Sequence, residues 1–128
     1  MAGTLTISTL SDGTNSTSST NCIYGSAKAW VNFNGATIRA SYNVTSVTKT
    51  ATGNYTINFT NALSDTNYST VFGNNGYAGY GAPSYPSWIS VGTKATSSQQ
   101  IYAGSPVSGG NCAWAATDVT EISVSIFR

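Results

Sequence analysis

The chain has 128 residues, of which 40% are hydrophobic and 7% charged, with a net charge of +1. That length suits one domain with one core, while a charge content far below the usual ~25% leaves the surface to Ser, Thr and Asn, which fill more than a third of the chain. The five basic residues, Lys28, Arg39, Lys49, Lys94 and Arg128, are scattered, so no basic cluster is available to neutralise several phosphates and no nucleic-acid partner is expected.

Taken in chain order, Thr4–Leu10 alternates as a short strand, and the polar stretch Ser11–Asn21 contains no apolar residue and reads as a flexible arm or loop. Ala27, Ala29, Val31 and Phe33 then face one way and Lys28, Trp30, Asn32 and Asn34 the other, the period of a half-buried strand. Asn34-Gly35 supplies a turn. Ile38, Ala40, Tyr42 and Val44 alternate next, and a turn around Gly53 leads to Tyr55, Ile57 and Phe59. Tyr68–Phe72 forms a further strand, after which Gly73–Ser87 breaks every periodicity. Trp88–Val91, Gln99–Tyr102 and Val119–Phe127 complete the set, and no segment has a helical pattern. The fold predicted is all-β: residues 1–128 as a single antiparallel β-sandwich, jelly-roll-like. Its core draws on Val31, Phe33, Ile38, Val44, Ile57, Phe59, Ile122, Val124 and Ile126.

Chemistry is poorly supplied. There is no histidine, the commonest general base near neutral pH, and the acids are only Asp12, Asp65, Asp118 and Glu121. Glycoside hydrolysis ordinarily takes two facing carboxylates, whereas Asp118 and Glu121, three apart on a strand, point to opposite faces. No phosphate loop and no metal motif is present, so the chain is expected to be non-enzymatic, with no cofactor and no metal. Cys22 and Cys112 are too few for a structural zinc site. They read either as a disulfide joining the two ends or as two buried thiols, which a reducing cytosol favours. The start, Met-Ala-Gly-Thr-Leu-Thr-Ile-Ser, lacks the basic and apolar regions of a secretion signal, and no apolar run has the length of a membrane span. Synthesis in a cytosol, without membrane insertion, is the expectation.

Binding is better supplied. Tyr77, Tyr80 and Tyr85, with Asn74 and Asn75, lie in a Gly/Asn/Ser/Pro-rich loop with the vocabulary of a paratope: rigid amphipathic rings among adaptable polar neighbours. An uncharged aromatic surface of this kind suits sugar rings. The competing reading is that the tyrosines plug one end of the sandwich or pack on a neighbouring subunit. Trp30, Trp88 and Trp114 read more readily as core or interface anchors than as ligand platforms.

Three runs, Ala27–Gly35 (AKAWVNFNG), Ile38–Thr48 (IRASYNVTSVT) and Gly53–Ser69 (GNYTINFTNALSDTNYS), together resemble the small β domains of tail-fibre and related virion-surface proteins of marine and freshwater bacteriophages. The likeness covers about residues 24–70, and the Ala-Lys-Ala-Trp-Val-Asn-Phe run is its most distinctive part. It implies a virion-surface protein assembled in the host bacterial cytoplasm and associating as a homotrimer. It further implies recognition by the turn-rich half, and the tyrosines of the Gly73–Ser87 loop make host surface polysaccharide the expected partner. Only Met1 to Ile23 precede the region of likeness, so a fibre built from this chain is expected to be a bare tip docked on another tail protein. A capsid decoration protein is the second virion role the features allow, with the N-terminal arm as tether, and a glycan-processing enzyme is a remote third.

Overall fold

Alternating segments become strands because one set of side chains can be buried against a second sheet while the other set stays in water. A computed structural model describes residues 3–75, 87–106 and 114–128, save the side chain of Trp114. The described elements are β1 (Thr9–Ser11), β2 (Ser16–Ser18), α1 (Ser19–Gly25), β3 (Ala27–Asn34), β4 (Thr37–Tyr42), β5 (Val44–Ala51), β6 (Asn54–Phe59), β7 (Ser69–Asn74), β8 (Trp88–Lys94), β9 (Ser98–Pro106), β10 (Trp114–Ala116) and β11 (Ile122–Phe127). The chain is thus all-β with one short helix.

Two antiparallel sheets enclose the core. The first runs β4-β3-β11-β7. In the second, β9 is the hub: β8 lies along one edge, and β6 and then β10 lie along the other, with β5 beyond β6. Ala29, Val31, Phe33, Ile122, Val124 and Ile126 of the first sheet meet Val47, Tyr55, Ile57, Phe59, Ile101 and Ala103 of the second. Eight of the nine core residues named from the sequence are buried, and Ile38 packs against them partly buried. Tyr55 and Tyr68 join this core by setting their rings edge-on to Phe33 (5.4 Å) and Phe59 (6.1 Å). Each tyrosine keeps its hydroxyl bonded, Tyr55 to Asp118 and Tyr68 to the carbonyls of Ala95 and Ser98, as a buried phenol requires.

Three expectations are corrected. The Ser11–Asn21 stretch is a hairpin and the start of a helix rather than an unstructured loop. Asp12 Oδ1 accepts the N–H groups of Thr14 and Asn15 at the turn, and the Ser18 hydroxyl accepts that of Asn21 as helix cap; short polar side chains organise backbone in this way without any burial. Of Thr4–Leu10, only Thr9 and Leu10 lie in a strand. The alternation from Ile38 to Val44 is not one strand: Asn43, at φ 55°, turns the chain from the first sheet into the second.

The turn at Gly53 locks the hairpin β5–β6 to its neighbours. Its φ is 65°, and a Cβ there would collide with the Ala103 carbonyl and sit 2.8 Å from the Thr117 amide. The space is taken by bonds: Ala103 N–H donates to the Gly53 carbonyl at 2.7 Å, and Gly53 N–H to Asp118 at 2.9 Å. Only glycine combines this conformation with so close a backbone approach.

Candidate functional site

The outer face of the first sheet carries the most distinctive exposed chemistry. On β3, burial of Ala29, Val31 and Phe33 leaves Lys28, Trp30, Asn32 and Asn34 outward. Strand register sets Tyr42, Trp30, Ser125 and Val71 side by side across all four strands. Trp30 is 39% exposed and Tyr42 59%; as directly opposed residues their Cβ atoms lie roughly 5 Å apart. The next row is Ala40, Asn32, Ser123 and Gly73. Small side chains in the middle leave a shallow, flat floor, with the two aromatic residues at one side.

A β-bulge shapes this face. Asn32 pairs with Ala40 and Phe33 with Ile38, so Arg39 is the extra residue. The bulge turns Ala40 and Tyr42 outward, where simple alternation would place them with Ile38 toward the core, and aims Arg39 at Glu121. Glu121 is the hub of the polar rim: Oε1 accepts from Asn32 Nδ2 at 2.8 Å, and Oε2 from Arg39 Nη1 and Asn75 Nδ2, each at 2.9 Å. The Asn32 bond, then the Arg39 charge, holds its carboxyl below the usual range. Asn75 N–H also donates to the Glu121 carbonyl at 3.3 Å.

The rim leads into the tyrosine-rich loop. Asn74 and Ser87 stand at its two feet, joined by a bond from the Ser87 hydroxyl to Asn74 Oδ1 at 2.7 Å and one from Asn74 Nδ2 to the Ser87 carbonyl at 3.3 Å. Asn74 and Asn75 are therefore placed, as root and rim of the loop. Tyr77, Tyr80 and Tyr85 lie outside the described residues. So does Cys112, while Cys22 is exposed on α1 rather than buried. Trp30 stands on the outer sheet face rather than in the core. Trp88 is half-buried, its indole laid against Gly104.

The other carboxylates hold structure together. Asp118 accepts from Gly53 N–H, from the Tyr55 hydroxyl at 2.8 Å and from Lys49 at 2.5 Å. Partial burial pushes its carboxyl up, but these three donors outweigh that and hold it low. The same burial, with the bond to Asp118, raises the Tyr55 phenol. Asp65 pairs with the Arg128 guanidinium and accepts Asn67 N–H at 2.7 Å, both of which lower it. Asp118 and Glu121 have separate partners and form no acid–base pair. Among the described residues no three Asp, Glu or Cys side chains gather as metal ligands would.

Sequence reasoning placed Trp30 and Asn32 on the outward side but missed Tyr42 beside Trp30, and Glu121 with Arg39 beside Asn32. No glycine or proline marks the bulge that brings them together. No family model matches this chain, and no curated protein and no solved structure shows significant similarity to it.

Proposed function

We propose that this chain is a non-enzymatic surface protein of a bacteriophage virion, a tail-fibre-type receptor-binding module that contacts host surface glycan. The observation that carries the reading is the outer sheet face: Trp30 and Tyr42 exposed side by side over a floor of small residues. Asn32, Arg39 and Asn75 gather on Glu121 along its rim. The C–H face of a sugar ring packs on an aromatic plane, and its hydroxyls bond to amides and guanidinium groups. The rim ends at Asn74 and Asn75, from which the chain runs on to Tyr77, Tyr80 and Tyr85, residues of the same amphipathic chemistry. The carboxylates, engaged as struts by amide, phenol and cation donors, support a binding rather than a hydrolytic role.

The runs that resemble phage modules supply β3 to β6 and reach the start of β7, the scaffold beneath this face. The homotrimer and the jelly-roll-like wrapping of the sandwich belong to the same reading. So do the virion-surface location, assembly in the host bacterial cytoplasm, attachment to other tail proteins and independence of cofactors. Among the described residues no helix is long and apolar enough to cross a membrane.

The test is attachment of purified protein to host cells and their extracted polysaccharide. Trp30→Ala, and separately Tyr77→Ala with Tyr80→Ala, should each weaken attachment at least tenfold, about 1.4 kcal/mol, with the unfolding midpoint unchanged. Full attachment by both variants rejects the site. Capsid decoration is the second reading, favoured by the apolar N-terminal arm as a tether. Antibody-gold labelling separates the two: label at the tail supports receptor binding, and label over the head replaces it with decoration.

A further inference from the structure

The most anomalous part of the molecule is its first 25 residues. The hairpin β1–β2 has three residues per strand and α1 has seven, with no buried residue in any of them. A two-stranded hairpin or a two-turn helix does not stand alone in water. These elements and the segment before them nonetheless present Leu5, Ile7, Leu10, Ile23 and Tyr24 to solvent, Leu5 at 81% and Tyr24 at 64% exposure. Leu5, Ile7, Leu10, Ile23 and Cys22 line one open trough of about 370 Å³. The trough is anchored to the sandwich at its far end, where Lys28 Nζ donates to the Ile23 carbonyl. Among the described residues nothing from the rest of the chain buries this apolar face, and an element of that kind is stabilised by something else.

We propose that residues 3–25 form an oligomerisation arm, and that what covers its apolar trough is the same arm of other copies of this chain. Charge favours that occupant. Asp12 is the single charged side chain in residues 3–25, and its carboxylate is consumed by the amides of its own turn, so identical arms meet without repulsion. An apolar patch without charge can meet a copy of itself, and arms of this kind can gather about the axis of a closed homo-oligomer. Area is also adequate. Five large apolar side chains offer on the order of 100 Å² each, close to the roughly 600 Å² per partner of the smaller specific interfaces. Association of this kind is concentration-dependent and is strengthened by sulfate, which favours apolar burial.

The proposal rests on the reading of the chain as a homo-oligomer and names the surface responsible. Sedimentation velocity on the full chain, from about 1 to 100 µM, tests it against the double variant Leu5→Asn with Ile23→Asn, and independently against Leu10→Asn. The expected result is a wild-type oligomer that dissociates on dilution, and variants that stay monomeric throughout with the unfolding midpoint of the dilute, dissociated wild type. Variants that keep the wild-type mass overturn the arm and leave the oligomer to the sandwich. A wild type that is monomeric at every concentration overturns both, without touching glycan attachment.

Discussion

Asn43 shows how much one residue can carry. It is the non-glycine residue with positive φ among those described, and its side chain spans the corner between the sheets. Its Nδ2 donates to the carbonyls of Lys28 and Asn61 at 3.1 and 3.2 Å, and its Oδ1 accepts Asn61 N–H at 2.8 Å. Asn43→Ala loses these bonds, worth about 1 kcal/mol each at most, and pays ~1–2 kcal/mol for the left-handed backbone. We expect a loss of about 3 kcal/mol in urea unfolding. Asn43→Gly, which keeps the conformation, should cost visibly less; equal costs would show that backbone strain plays no part. The corner was hidden in the sequence because Val44 keeps the apolar parity of Ile38 although it belongs to the other sheet.

Among the elements, the β5–β6 hairpin and the β3–β4 bulge differ in how readable they were. Gly53 between two alternating runs announces a turn, but its wedging against Ala103 depends on β9, some fifty residues later. Gly53→Ala should therefore cost more than an ordinary turn glycine: about 1–2 kcal/mol for conformation and ~1–3 for the collision. A drop of under 1 kcal/mol in urea unfolding would mean that the turn relaxes freely. The strands themselves were largely legible, since period two survives wherever one face is buried. The outer face of the first sheet was legible only in part. Alternation placed Trp30 and Asn32 outward, but Tyr42 and Arg39 reach that face through an unmarked extra residue. The helix and hairpin before residue 26 escaped notice because capping and turn bonds, not an apolar period, define them.

For the whole molecule, all four side-chain carboxyls titrate below their ordinary values in the folded chain. Groups lowered in this way stabilise the fold fully above the unfolded carboxylate range near pH ~4, and that contribution is lost as pH falls through their lowered folded values. Calorimetry should give a melting temperature nearly flat from pH 5 to 8 and falling below about pH 4. A melting temperature that rises on acidification would contradict the pairing of Glu121, Asp65 and Asp118. The fastening of Asn74 to Ser87, and of Asn75 to Glu121, has a different reach. Because the two feet of the loop are tied to each other and bolted to the sheet by residues outside the tyrosine-bearing stretch, that stretch can accumulate substitutions while the scaffold is inherited intact. On the receptor-binding reading proposed above, a lineage carrying this chain can change its ligand without having to evolve a new fold.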